Sequence, residues 1–384
     1  MTATGIGIAG IVALFVLVAL HIPLAFAMIA VGIVAFALQT EWTSALTFLA
    51  TEPSQVLGSM DLVAVPLFLM MGAFVNVSGL SRDLYAAAAA LLGHRRGGLS
   101  YATIGGSAAF GAICGSSPAT VATFTQVALP EMLKRNYAPG FSGATIAAGG
   151  ALKALIPPSL SMILYCVVAR TYIFDVFVAA VIPALITITA NLIAIAVMAR
   201  LYPAIAPVSP RVLRKEKLAA LWRAAPAALL IAIIFAGLYS GISIFTYFIS
   251  LAKIPEQLIG FLGGVNLPPS GIIVLMLAAY LVLGAVFDEL AAMIVTLPFA
   301  LPIIVYFGYD PVWWAIINVI IVELGLVIPP IGLVILIINA MRPDIPLRDL
   351  YRSIVPFVVA DLAVLALLTA FPSLALWLPA ILRG

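Results

Sequence analysis

Apolar residues run along the chain in long blocks, at about 6–20, 22–38, 61–77, 101–133, 141–169, 173–198, 224–250, 268–306, 312–339 and 354–378. A block of roughly 20 such residues is long enough to cross a bilayer as a helix. The pattern predicts an all-α polytopic membrane protein. Polar connections separate the blocks, and two blocks carry an interruption of the same kind. "LIPPS" stands at 155–159 and "VIPPI" at 327–331. Two prolines inside an apolar run break a helix at membrane depth, where backbone groups have no water to turn to.

Composition strengthens this reading. The 384 residues are 65% hydrophobic and 9% charged, against roughly 25% charged in a soluble domain. The opening "MTATGIGIAG" has no basic side chain and no evident cleavage site. It is expected to start a first membrane helix rather than a removed signal peptide. Cys114 and Cys166 lie in apolar blocks at no metal-binding spacing, and they read as small buried hydrophobes.

The distribution of charge gives orientation. Arg82, Arg95 and Arg96 precede block 101–133, and Lys134 and Arg135 follow it. Further basic residues fill 200–223 and 342–352, whereas 39–57, 251–266 and 307–311 hold only Lys253. Lys and Arg concentrate on the cytoplasmic side. Both ends of 101–133 are therefore expected inside. With "CGSSPAT" (114–120) at its middle, this block is expected to be a re-entrant hairpin turning at Gly115, Ser116 and Ser117. Block 268–306, with "FDEL" (287–290) at its middle and both ends on the side poor in basic residues, is expected to be a second hairpin entering from outside.

An offset of 172 residues superimposes the two. Leu129-Pro130 falls on Leu301-Pro302, Tyr137 on Tyr309, Pro139 on Pro311 and Ile156-Pro157-Pro158 on Ile328-Pro329-Pro330. The expected fold is a pair of inverted structural repeats, each with a re-entrant hairpin and a discontinuous helix. The expected layout is N-terminal helices over 1–60, a first repeat over 61–200, a basic connection and helix over 201–240 and a second repeat over 241–384. Inverted repeats with broken helices mark secondary transporters. The competing account of the double prolines is two kinks in ordinary packed helices.

Candidate chemistry follows from this layout. In the first half Gly115, Ser116 and Ser117 form the tip, facing Gly149 and Gly150 ahead of Pro157 and Pro158. Hydroxyls and carbonyls are hard oxygen donors suited to a small cation. In the second half the tip is Asp288-Glu289, and the facing break runs from Gly325 through Ile328 and Pro329 to Pro330, with Glu323 just before it. Lys153 is a charge in mid-membrane, a functional-site hypothesis by default. It can bind a substrate carboxylate, pair with Asp288, Glu289 or Glu323, stand in for a cation, or snorkel to an interface. Expected substrate contacts are Ser116, Ser117, Lys153, Pro157, Pro158, Asp288 and Glu289. Expected cation ligands are Gly115, Ser116, Ser117, Gly149, Gly150, Gly325, Ile328 and Pro329. No catalytic residue is assigned. The basic amphipathic stretch "RVLRKEKLAALWR" (211–223) is expected on the inner membrane surface or against a partner. The sequence has no P-loop, His/Cys metal cluster or nucleophile–His–Asp set, which argues against an ATP-driven pump. An enzyme of the membrane interior stays open as a second class.

Several stretches together resemble the large membrane subunit of TRAP transporters, the tripartite ATP-independent periplasmic carriers. They include "VPLFLMMGAFVNVSGL" (65–80), "GHRRGGLSYATI" (93–104), "GAICGSSPATVA" (111–122) and "LPEMLKRNYAPGFSGATIAAGG" (129–150). "YLVLGAVFDELAAMIVTLPFALPII" (280–304), "VELGLVIPPIGL" (322–333) and "PFVVADLAVLALLTAFPSLALWLP" (356–379) continue the likeness nearly to the end. The resemblance implies an elevator-type importer of organic acids in the bacterial inner membrane, driven by sodium. It also implies a small membrane subunit and a periplasmic solute-binding protein as partners, with no cofactor beyond the coupling ion. Its sodium sites, at hairpin tips and broken helices, carry over to Gly115, Ser116, Ser117, Gly149, Gly150 and the 325–330 break. The chain departs from the family pattern in four places. Lys153 stands where the family often has glycine, Ile328 where it commonly has threonine, and Val334 where it commonly has asparagine. After "FAGLYSG" (235–241) some tens of residues of the family pattern are absent. Proton coupling through Lys153 and nearby acids, or a truncated subunit that does not transport, are the alternatives.

Overall fold

The computed structural model describes residues 6, 9–10, 12–14, 16–17, 20, 22, 24–57, 70, 72, 74–75, 78–208, 215–224, 269–286, 289–329 and 331–383. Every regular element among them is a helix. The blocks expected at 61–77 and 224–250, the 241–242 junction, Asp288 and Pro330 lie wholly or mainly outside the described residues.

Two units emerge, 1–66 and 67–384. In the first, α1 (Leu24–Gln39) packs on α2 (Trp42–Leu57). Residues 39–57, expected as a polar connection, are mostly helix. Their polar side chains do not oppose this, because Thr47 and Thr51 each donate to the carbonyl four residues earlier, at 2.9 Å. Such bonds satisfy the hydroxyl within the helix itself.

The second unit holds the two interrupted blocks. After α3 (Leu80–Leu92), block 101–133 is two helices, α4 (Gly98–Cys114) and α5 (Ser117–Lys134). The chain reverses between them because Gly115 takes φ +71°, a conformation that favours glycine. Ser116 is extended, and its side chain accepts from the Ala119 N–H at 3.3 Å as an N-cap. Pro118 sits in the first turn, where a missing N–H costs nothing.

The next block is broken as expected. Helix α6 (Pro139–Ala151) tightens into a short 3-10 turn, Leu152–Leu155. Ile156 is extended, as the residue before a proline tends to be, and α7 (Leu160–Ala169) resumes beyond Pro157-Pro158. Helix α8 (Ile173–Leu201) follows. The later elements are α9 (Pro269–Val286), α10 (Glu289–Tyr306), α11 (Pro311–Val327), α12 (Leu333–Met341), α13 (Leu347–Ala370) and α14 (Ser373–Arg383). Helix α11 stops at Ile328, again extended before a proline, and Gly332 with φ +53° leads into α12.

The helix boundaries recur at the 172-residue offset read from the sequence. Ser117, Lys134, Pro139 and Ala169 correspond to Glu289, Tyr306, Pro311 and Met341. The turn after α5 uses Asn136 at φ +58°, with Asn136 N–H to Leu133 O and Tyr137 N–H to Met132 O. The turn after α10 repeats it with Gly308 at φ +78°, with Gly308 N–H to Val305 O and Tyr309 N–H to Ile304 O. Both are helix stops in which a left-handed residue turns two N–H groups back onto the last carbonyls.

Helices α6 and α11 occupy the centre. Gly140 to Gly150 of α6 and Val312 to Val327 of α11 are buried throughout. Helix α6 is rich in glycine and alanine, so α4, α5 and α13 approach its backbone closely. Around the centre, α8 and α13 turn Leu185, Ile193, Val197, Val355 and Val359 outward. Such apolar exteriors match lipid rather than water. The helical stretches Pro139–Cys166, Ile173–Leu201 and Leu347–Ala370 are long and apolar enough to cross a membrane.

Candidate functional site

The break between α6 and α7 sets Lys153 deep in the second unit. The residue is fully buried. Its stem lies against α4 at Gly111, where a β-carbon would strike it. Its ammonium donates to the Gly115 carbonyl, the last of α4's free end, at 3.3 Å. It also bonds Glu289, the first residue of α10, and lies 3.3 Å from Glu323 Oε1 on α11. Ser117, the first residue of α5, donates its hydroxyl to the same Glu323 carboxylate at 2.8 and 2.9 Å.

The contacts cross between the halves. Ser117, at the start of α5, reaches α11, and Glu289, at the start of α10, reaches Lys153 in the break after α6. Packing agrees, since α5 touches α12 and α10 touches α7. One ammonium thus faces two carboxylates, with both acids nearly as buried as the lysine. Unpaired charge at this depth is costly, so each group depends on the others. The snorkelling account of Lys153 is ruled out by this geometry.

Ser116 caps α5 beside this cluster. Gly149 and Gly150 sit one turn before Lys153, and a β-carbon on them would strike Ser107 of α4 and Val121 of α5. They serve close packing of α6 against the hairpin. Pro157 and Pro158 form the break itself. Gly325 follows Glu323 and faces Gly284 of α9, with Ile328 and Pro329 at the end of the helix. Asp288 lies outside the described residues.

The structure adds residues that the sequence reading passed over. Behind Glu323 is a cavity of about 20 Å³ lined by Leu152, Leu155, Thr187, Ile320 and Asp361. That is about the room one water needs. Asp361 of α13 accepts from Asn191 Nδ2 of α8 at 2.7 Å, and the same amide donates to the Thr187 carbonyl at 3.0 Å. A carboxylate and an amide inside otherwise apolar membrane helices were the available signal. The buried polar atoms that lack a hydrogen-bond partner among the described residues include Thr120 Oγ1, Ser159 Oγ, Ser161 Oγ and Glu289 Oε2. They belong to the same hairpin and break segments as the cluster.

Broken membrane helices that converge on buried charges define a secondary transporter. The family described as "Tripartite ATP-independent periplasmic transporter, DctM component" matches residues 11–243 and 238–374, and the chain belongs to it. Its relatives include large permease proteins and permeases of such systems. The C4-dicarboxylate large permease of Pseudomonas aeruginosa is 28% identical over 83% of this chain and 86% of its own length. The sialic acid large permease of Vibrio cholerae is 26% identical over 94% and 96%. The isethionate permease of Oleidesulfovibrio alaskensis is 27% identical over 96% of this chain and 65% of its own length. Membership sets the chain among transporters rather than enzymes.

The matching also bears on the expected gap. The two family segments meet at 238–243, around the junction where the sequence reading found residues absent. The alignment to the Vibrio cholerae permease spans 422 positions, more than the 384 residues of this chain. That relative therefore has residues with no counterpart here.

Proposed function

We propose that this chain is the large permease subunit of a sodium-coupled importer of a small organic acid, a C4-dicarboxylate or another carboxylate. It acts in the bacterial inner membrane with a small membrane subunit, and a periplasmic binding protein delivers its substrate. The supporting observation is the buried meeting of both hairpins with both broken helices, around Ser117, Lys153, Glu289 and Glu323. Groups from four separate elements meet at one point, so a bound solute could tie them together and release them together.

In this reading the two halves are inverted repeats. The hairpins and broken helices form the part that moves across the membrane, and the remaining helices, including 1–60, form the scaffold. Gly115, Ser116, Ser117, Gly149 and Gly150 in one half, and Gly325, Ile328 and Pro329 in the other, are the proposed cation positions. Ser116, Ser117, Lys153, Pro157, Pro158, Asp288 and Glu289 are the proposed substrate contacts. No cofactor is required.

A second reading is favoured by one observation, that two carboxylates share one ammonium. An odd acid can carry a proton, which makes proton-coupled transport through Lys153, Glu289 and Glu323 the competing account. Uptake into proteoliposomes with both partner proteins separates them. Sodium coupling predicts uptake that needs an inward sodium gradient. Uptake driven by a pH gradient alone selects the second reading. Absence of uptake under either gradient, in folded protein, selects a subunit disabled by the gap at 241–242.

A further inference from the structure

The Lys153 ammonium sits in surroundings built like a cation site. Its neighbours are a backbone carbonyl at a helix end, Gly115 O, and two carboxylates, Glu289 and Glu323, the latter also held by the Ser117 hydroxyl. All are oxygens, drawn from α4, α10 and α11, and the lysine is wholly sealed from solvent. These are the ligands a hard monovalent cation would take. The lysine stem reaches this point only because Gly111 has no side chain to block it.

We infer that Lys153 is a built-in cation that permanently fills this position, so that a free sodium ion binds here only when the ammonium is removed. The inference rests on the cation-coupled reading and narrows it: Gly115, Ser117, Lys153 and Glu289 leave the sets of exchangeable-cation positions and substrate contacts, and any exchangeable ion is held elsewhere. Two carboxylates facing one fixed positive charge also keep the hairpin tips and broken helices together when no solute is bound. A transporter with a tethered cation would have one ion fewer to load at this point in each cycle.

The experiment is sodium-22 binding to purified protein, wild type against Lys153→Ala and Lys153→Arg. Lys153→Ala is expected to bind one more sodium per chain than wild type, and Lys153→Arg no more than wild type. Melting temperature is read in parallel in sodium and in N-methylglucamine. Sodium is expected to raise it for Lys153→Ala by more than for wild type. Equal sodium binding by Lys153→Ala and wild type overturns the inference. Should Lys153→Ala not fold, the double variant Lys153→Ala/Glu289→Gln, which loses one charge of each sign, is compared with Glu289→Gln. Equal sodium binding by those two overturns it as well. Failure of the proposed function is a separate result, since wild-type uptake can ignore a sodium gradient whether or not removal of Lys153 opens a sodium site.

Discussion

Lys153 is the one cation between Glu289 and Glu323, so removing it leaves two buried carboxylates without a partner, whereas removing either acid leaves Lys153 paired with the other. Loss of one partner from a buried ion pair costs about 3–5 kcal/mol, whereas loss of both costs much less than the sum. Lys153→Met is therefore expected to destabilise strongly alone, Glu289→Gln less because Lys153 keeps Glu323, and the two to be strongly non-additive together. Chemical denaturation in detergent through the full double-variant cycle measures this, and additive effects would dissolve the pair. Ser117→Ala removes a hydroxyl that Glu323 accepts from twice. Hydrogen bonds to charged groups are worth about 1.5–3 kcal/mol, so this variant is expected to lose stability in that range and to slow uptake. Wild-type stability and uptake in Ser117→Ala would mean that the hydroxyl is incidental to Glu323. The sequence marked Lys153 and its three possible partners by charge alone. It could not choose among pairing, cation replacement and snorkelling, because the register of a broken helix depends on where the 3-10 turn begins. Asp361 and Asn191 went unread for a different reason. They lie 170 residues apart on different helices, and only packing of α8 on α13 makes them a pair.

At the scale of the elements, glycine decides which helices can reach the site. Gly149→Ala would drive a β-carbon into Ser107, whereas at Gly105 a β-carbon meets nothing within 4 Å. Overpacking of a tight contact costs about 1–3 kcal/mol. Gly149→Ala is expected to lower the melting temperature, and Gly105→Ala, on the helix that Gly149 packs against but facing outward, to leave it unchanged or raised. Equal behaviour of the two would mean that α6 does not pack against the hairpin as described. Much of this layout was legible beforehand. The hairpin and the two breaks were announced by Gly115-Ser116-Ser117 and by the double prolines, signals that act through the local backbone. Helices α2 and α3 were less legible, because Thr43, Thr47, Thr51, Arg82 and Asp83 make them look like connections. Their stability comes from packing and from bonds internal to the helix, which hydropathy does not register.

For the whole molecule, the open issue is whether the halves are inverted or parallel. Local structure recurs at 172 residues in helix boundaries and in the left-handed turns at Asn136 and Gly308, yet recurrence alone carries no direction. Charge does. Lys134 and Arg135 close the first hairpin, while the matching positions of the second are Tyr306 and Phe307. Basic residues favour the cytoplasmic side, so equivalent residues should face opposite compartments. Lys134 and Tyr306 are both exposed in the structure. Cys114 and Cys166 are buried and contribute little background to thiol labelling. Single cysteines at the two positions, Lys134→Cys and Tyr306→Cys, are therefore expected to react with an impermeant maleimide from opposite sides of intact cells or oriented vesicles, the first from the cytoplasm. Labelling of both from one side would make the repeats parallel. The crossed contacts of Ser117 with Glu323 and of Glu289 with Lys153 would then need another origin than two hairpins entering from opposite faces and meeting at mid-membrane.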